Sequence, residues 1–132
     1  GLFSALLGPR FQHRVLVEGD EAAVAWARRN LEALELPAQC HVSDVTAWVP
    51  EHLGTPEDLI LLDPPRAGLD EALAQKLLTA ETTQMILVGC DGAAFCRDIK
   101  RLGSAWKIKD LVAMDLFPLT VHVEFIALLE KS

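Results

Sequence analysis

Two short apolar runs constrain this chain more than any other feature. Leu59-Ile60-Leu61-Leu62 stops at Asp63-Pro64-Pro65-Arg66-Ala67-Gly68, and Met85-Ile86-Leu87-Val88 stops at Gly89-Cys90-Asp91. Short apolar runs bounded by turn formers read as strands buried on both faces, the kind that parallel sheets contain. In open α/β sheets ligands bind beyond the carboxyl ends of such strands. Asp63 and Cys90 therefore stand where a site is expected. Pro64 and Pro65 fix φ and remove two backbone donors, which stiffens the first loop. Arg66 adds a planar cationic fork suited to a carboxylate or phosphate. An ordinary strand-to-helix turn would use many of the same residues, so this loop alone does not decide between the two.

The rest of the chain alternates strands with helices. His13 to Glu18 reads as a short strand around Val15, Leu16 and Val17. Asp20 is placed to cap the next helix, and Glu21 enters its first turn, where acids complement the dipole. Ala22, Ala25, Trp26, Ala27, Leu31 and Leu34 give that helix an apolar face, and Pro37 stops it. Cys40-His41-Val42 is a brief strand ending at Ser43-Asp44, and Val45 to Leu53 a weak helix. Asp58 to Leu62 is the next strand, and Asp70 caps a helix running to about Ala80. Gln84 to Val88 is the second apolar strand, followed by a helix over Ala93 to Leu102. Ala105 to Met114 and Val121 to Leu129 are two final strands. The loop between them is too short for a crossover helix, so they read as an antiparallel pair. The pattern predicts a doubly wound, mostly parallel, Rossmann-like α/β sheet with an antiparallel C-terminal hairpin at its edge.

Composition excludes several classes. A chain of 132 residues with 51% hydrophobic residues is expected to form one domain with a real core, not a disordered segment. Its apolar runs fall far short of a membrane span, and Gly1 to Leu7 lacks the basic start and length of a secretory signal. Cys40, Cys90 and Cys96 are an odd set without metal-like pairing, which points to free thiols in a reducing cytoplasm. A net charge of −7 makes the chain a poor nucleic-acid binder by bulk electrostatics, so an RNA partner would need affinity from elsewhere.

Four chemically useful side chains follow the expected strands directly or by one residue: Glu18, Asp44, Asp63 and Cys90. If the strands are parallel, all four gather at one sheet edge. Glu18, in Val15-Leu16-Val17-Glu18-Gly19, suits a ribose diol, or is a surface acid before a turn. Asp44 accepts from an adenine amino group, or caps the helix after it. Cys90 lies beside an expected helix N-terminus, a setting that favours a nucleophilic thiolate; small buried cysteines are also common in cores. Cys40 and Cys96 read as core. Glu124 lies two residues into the last strand and suits a general base or a solvated strand end. His41 and His122 have no partner at metal-ligand spacing, so neither reads as a ligand and no metal is expected. A nicotinamide dehydrogenase is disfavoured, because no Gly-x-Gly-x-x-Gly follows a strand.

Taken together, the motifs resemble the catalytic domain of the uracil-C5 RNA methyltransferases. Val17-Glu18-Gly19, with Ala27-Arg28-Arg29-Asn30 in the following helix, resembles that family's cofactor-ribose strand. Asp63-Pro64-Pro65-Arg66-Ala67-Gly68 resembles its signature loop, and Gly89-Cys90-Asp91-Gly92 occupies the place of its Ser-Cys-Asn-Pro nucleophile loop. Asp115-Leu116-Phe117-Pro118-Leu119-Thr120-Val121-His122-Val123-Glu124 is similar to its terminal Asp-Met-Phe-Pro-x-Thr-x-His-Val-Glu motif. The segments occur in the family's order over about residues 13 to 130.

The resemblance implies a class I methyltransferase-like domain over residues 1–132, a fragment lacking the N-terminal RNA-binding regions and part of the first strand. It implies S-adenosylmethionine as cofactor and a uridine in tRNA or rRNA as substrate. It assigns Cys90 as nucleophile and Glu124 as base, and gives Glu18, Asp44 and Asp63 to the cofactor. Pro64 and Arg66 support the loop or the substrate. Where the family has Asp-Leu-Phe-x-Gly-x-Gly, Gly1 to Leu7 supplies Ala5 and Leu7 in place of both glycines, which predicts a leucine intruding on the cofactor. Asp91 replaces an asparagine and puts a negative charge beside the thiol; Gly92 replaces a proline. These differences leave a second reading open, a methyltransferase-like domain that binds RNA, a nucleotide or a protein without catalysis.

Overall fold

Leu59–Leu62 and Gln84–Gly89 do form adjacent parallel strands, and the reason is visible in what they bury. In this computed structural model, which describes residues 1–48, 54–116, 118–120 and 123–132, Met85, Leu87 and Val88 are almost wholly out of water. At roughly 1.5–3 kcal/mol for each large apolar side chain buried, such a strand is held by its side chains more than by its propensity. The chain divides into two compact units, Gly1–Pro50 and Glu51–Ser132.

The first unit contains α1 (Leu2–Leu7), a 3-10 turn (Gly8–Arg10), β1 (Val15–Glu18), α2 (Glu21–Ala33), β2 (Gln39–Val42) and α3 (Val45–Trp48). β1 and β2 pair in parallel, from Val15 opposite Gln39 to Glu18 opposite Val42. Asp20 caps α2 as expected, its Oδ1 accepting from the Ala23 N–H at 3.0 Å. The buried face of that helix is Val24, Ala27 and Leu31. Trp26, assigned to that face from the sequence, is instead 62% exposed, and the Arg29 guanidinium lies 5.3 Å from its ring centroid. Leu34 is also exposed.

The expected glycine-loop position of Gly1 to Leu7 is corrected. Leu2–Leu7 is helical, so Ala5 and Leu7 belong to a helix and not to a loop facing a ligand. The run holds no glycine or proline between Leu2 and Leu7, and its leucines and alanine are good helix formers. Gly1 caps the helix with its backbone, donating no side-chain bond, and a Cβ there would come within 2.8 Å of the Ala27 Cβ. The expected helix over Val45 to Leu53 is found as Val45–Trp48; residues 49–53 lie outside the described residues.

The second unit contains β3 (Leu59–Leu62), α4 (Glu71–Leu78), β4 (Gln84–Gly89), α5 (Gly92–Leu102), β5 (Trp106–Met114) and β6 (Glu124–Lys131). The sheet order is β3-β4-β6-β5, with β3 and β4 parallel and β6 antiparallel to both neighbours. The predicted C-terminal antiparallel pair is present, and its second strand inserts next to β4. Among the described residues that strand spans Glu124–Lys131, and Val123 lies outside it; the part of the expected strand at Val121 and His122, like Phe117, lies outside the described residues. Trp106 donates from Nε1 to the Leu77 carbonyl at 2.9 Å, and Lys131 Nζ donates to the carbonyls of Leu78 and Ala80. A cation therefore closes the C-terminus of α4, where carbonyls lack intrahelical partners. Cys96, read as core, is exposed. The inward face of α5 is Phe95, Asp98 and Leu102, and Cys96 is turned away from it by a third of a turn. No helix among the described residues is long and apolar enough to cross a membrane.

Candidate active site

The loop after β3 is fixed at nearly every residue. Asp63, Pro64 and Pro65 leave the strand. The Gly68 N–H then donates to the Pro65 carbonyl at 2.7 Å, closing a turn over Arg66 and Ala67. Gly68 has φ of +78°, a conformation open to glycine, and a Cβ there would lie 2.2 Å from Asp98 Oδ2. Leu69 is buried and donates its N–H to Asp98 Oδ2 at 2.8 Å. Asp70 then caps α4 through the Leu73 N–H at 2.7 Å. The outcome is a rigid turn that holds Arg66 exposed, with no ion pair recorded for it among the described residues.

The loop after β4 lies at the same end of the sheet. Parallel pairing of Leu62 with Leu87 puts Asp63 and the Gly89-Cys90 step beyond the carboxyl ends of neighbouring strands. Asp91 caps α5, its Oδ1 accepting from the Ala94 N–H at 2.8 Å, so this carboxylate is engaged by the helix that follows Cys90. Gly92 is the first residue of that helix, a position that accepts proline, and a Cβ there would meet the Phe125 ring only in ordinary contact, at 3.4 Å. Gly89 is tighter: its Cβ would lie 2.6 Å from Phe95, whose ring stacks on Phe125 with centroids 5.2 Å apart. The Cys90 loop is thus packed from below by two aromatic rings.

Glu124 reaches this end from the other neighbour of β4. The last antiparallel pair of β4 and β6 is Gly89 with Phe125. One register step further places Cys90 and Glu124 at the same sheet end, on adjacent strands whose facing residues have Cβ atoms about 5 Å apart while pairing lasts. Both are half-buried. An open recess of about 200 Å³, counted to its solvent mouth, is lined by Pro64, Pro65, Arg66, Cys90, Asp91 and Asp98 among others. The second unit therefore has Asp63, Arg66, Cys90 and Glu124 at one end of its sheet, and of these Arg66 and Cys90 line the recess. Glu18 and Asp44 belong to the first unit, at the carboxyl ends of the parallel β1 and β2. Glu18 accepts from the Asp20 N–H through Oε1 at 2.9 Å, and Asp44 caps α3 through the Ala47 N–H at 3.1 Å. The capping role weighed for Asp44 is thus the one its Oδ1 performs.

Partial burial pushes the Asp63 carboxyl above its usual range, although the residue as a whole stays exposed. A carboxyl raised in the folded state holds its proton to higher pH than in the unfolded chain. Stability is therefore lost as pH rises from the ordinary carboxylate range through the folded value. Asp63→Asn is expected to melt slightly above the unmodified chain at pH 7. The difference should close near pH 4, and it is small because water screens an exposed carboxylate. Melting curves at the two pH values check this; a variant that melts lower at pH 7 contradicts it.

Sequence reasoning missed Asp98. It is 1% exposed, yet charged. The signal was present: Phe95, Asp98 and Leu102 share one helical face, so an acid lies in an apolar stripe.

Comparison with known proteins matches residues 56–132 to the family model for tRNA (Uracil-5-)-methyltransferase. An uncharacterized RNA methyltransferase of Streptomyces avermitilis is 39% identical over 136 residues, spanning 100% of this chain and 31% of that protein. The tRNA (uracil(54)-C(5))-methyltransferase of Pyrococcus abyssi is 35% identical, over 96% of this chain and 30% of its own length. The crystal structure of the Pyrococcus abyssi tRNA (uracil-54, C5)-methyltransferase in complex with S-adenosyl-L-homocysteine superposes with a TM-score of 0.84 at 33% identity, covering 98% of this chain and 31% of that one. A protein from Escherichia coli shares the fold alone, at 17% identity and a TM-score of 0.66. The α/β architecture is that of the class I methyltransferases, and the chain spans about a third of the length of the curated relatives it matches.

Proposed function

Because the chain belongs to the tRNA (uracil-5-)-methyltransferase family, we propose that it carries the catalytic part of an enzyme that methylates C5 of a uridine in RNA. S-adenosylmethionine would supply the methyl group to C5 and would leave as S-adenosylhomocysteine. The donor set suits that cofactor. Glu18 has engaged only Oε1 with backbone, leaving Oε2 for ribose hydroxyls. In the same unit Asp44 adds an exposed carboxylate beyond the end of β2, suited to the adenine amino group. In the second unit Asp63 is an exposed carboxylate beyond the end of β3, given to the cofactor by its place in the Asp63-Pro64-Pro65-Arg66 loop.

The observation that carries the proposal is the register of β4 and β6, which ends at Gly89 and Phe125 and leaves Cys90 and Glu124 next in line. Uracil is electrophilic at C6, and a soft thiolate is the natural nucleophile for it. Cys90 Sγ forms a bond to C6, and the electron pair displaced from the C5–C6 double bond makes C5 nucleophilic. After C5 carries the methyl group, Glu124 removes the C5 proton. The C5–C6 double bond re-forms and the Cys90 thiolate leaves, so the protein ends unchanged. Arg66 supplies an exposed cation at the recess mouth for a phosphate or a uracil oxygen. The base must leave its stack to meet Cys90 and Glu124. Free Cys40, Cys90 and Cys96 accord with work in a reducing cytoplasm. With a net charge of −7, this part draws most of its RNA affinity, whether for tRNA or rRNA, from regions outside it.

C5 methylation must expel the C5 hydrogen. RNA labelled with tritium at uridine C5 is therefore expected to release tritium to water only when the chain and S-adenosylmethionine are both present. Binding of S-adenosylhomocysteine, read by titration calorimetry, is expected to weaken at least about tenfold in Glu18→Ala, the loss of one charge-assisted pair of hydrogen bonds. Cofactor binding without tritium release would favour the non-catalytic reading.

A further inference from the structure

Asp98 is the one buried carboxylate among the described residues, and the reaction proposed above makes no direct use of it. Its two oxygens divide their work. Oδ2 accepts the Leu69 N–H at 2.8 Å, just after Gly68. Oδ1 accepts from Arg97 Nε at 3.2 Å and lies 3.6 Å from a guanidinium nitrogen of Arg101. Those two arginines extend the same grip, because Arg97 donates to the Ala67 carbonyl and Arg101 to the Leu69 carbonyl at 3.3 Å. Ala67 and Leu69, on either side of Gly68, are thereby tied to α5. Gly68 lets the backbone come this close, since any Cβ would overlap the Asp98 carboxylate.

A buried ion pair is a poor device for stability, because desolvation offsets most of its Coulomb attraction. Its strength is geometric, since an unpaired buried charge is costly and each donor is held in place. What this clamp joins is informative. On one side is the turn that carries Arg66 and follows Asp63. On the other is the helix whose capped N-terminus follows Cys90 directly. The carboxylate that joins them is itself one of the residues lining the recess.

We infer that Asp98 is a positioning residue that fixes the Arg66 turn against the Cys90 loop, so that a base entering the recess meets the thiol in a reactive pose. This rests on the function proposed above. Misplacement by about 1 Å is enough to cost a reaction roughly 100-fold.

The test compares Asp98→Ala and Asp98→Asn with the unmodified chain. Asn keeps a neutral acceptor for the Leu69 N–H but loses the charge that holds the arginines. The readout is the rate of covalent capture of a 5-fluorouridine RNA at saturating RNA, alongside melting temperature and S-adenosylhomocysteine affinity. Asp98→Ala is expected to slow capture at least tenfold with cofactor affinity changed less than twofold, and Asp98→Asn to recover most of that rate while melting lower than the unmodified chain. Capture by Asp98→Ala within twofold of the unmodified rate would overturn the inference, as would an Asn variant no faster than Ala. Should Asp98→Ala not fold, the double variant Arg97→Met with Arg101→Met removes the exposed half of the clamp. It is then expected to slow capture at least threefold, and an unchanged rate counts against the inference. If the unmodified chain captures no RNA, the proposed reaction fails, and the clamp is read independently. Hydrogen exchange at the Leu69 amide and alkylation of Cys90 by iodoacetamide should both quicken at least threefold in Asp98→Ala, with Cys40 unaffected. No change in either disproves the clamp.

Discussion

Glu124→Gln is expected to stop turnover after the carbon–sulfur bond has formed, leaving protein joined to ordinary uridine RNA. Glu124 opens β6 opposite Met114 and lies one register step past the Gly89–Phe125 pair. Glutamine keeps the size and the hydrogen-bonding shape of that side chain but does not take a proton. Addition at C6 and methylation at C5 do not need the base; elimination does. Loss of a positioned general base costs about 10²–10⁴ in rate. Multiple turnover should fall by that factor, while a covalent complex that is fleeting in the unmodified chain accumulates with both cofactor and RNA present. Denaturing gels and intact mass read it directly. Turnover within tenfold of normal, with no complex, would move the base to another residue.

Cys90→Ala is expected to have the larger effect, since it removes the bond-forming atom. Elsewhere the loss of a catalytic nucleophile has lowered kcat by about 10⁶, and a loss of at least about 10⁴ is expected here. Stability should barely change. Cys90 is half-buried beyond the strand end, while the loop around it is held by Asp91, which caps α5, and by Phe95 and Phe125 below Gly89 and Gly92. S-adenosylhomocysteine affinity should also hold, because no carboxylate assigned to the cofactor touches the thiol. A variant that loses activity together with fold or cofactor affinity would point to a structural cysteine instead.

Much of this arrangement is legible in the sequence. The two apolar runs identify β3 and β4, because an unbroken apolar run has no polar alternation to blur it; β4 is buried along most of its length as expected, whereas all four residues of β3 are only half-buried. Asp20, Asp70 and, less expectedly, Asp91 declare helix starts through their capping chemistry. The C-terminal antiparallel pair follows from loop length alone. Other features were hidden for physical reasons. Helical faces are easy to misassign by a residue, so Trp26 and Cys96 were placed inward although neighbouring positions carry the core. Residues 1–7 share Leu2-Phe3 with a glycine-loop motif but lack its glycines, and their helix propensity decides the local structure. The β6 register, which places Glu124 beside the Cys90 loop, depends on strand order, and no local pattern reports that. The Asp98 clamp spans 29 residues of sequence and becomes visible only once the Gly68 turn meets α5.

The proposed reaction begins with Cys90 forming a bond to uridine C6. Fluorine at C5 cannot leave as a proton does, so a 5-fluorouridine oligonucleotide converts a passing adduct into a permanent one. The direct measurement is the intact mass of the protein after incubation with that oligonucleotide and S-adenosylmethionine. The expected result is a mass increase equal to the oligonucleotide plus one methyl group less the thiol hydrogen, mapped to the peptide containing Cys90 and absent from Cys90→Ala. An adduct that survives in Cys90→Ala, or methylated RNA released from a 5-fluorouridine substrate without any adduct, would contradict it.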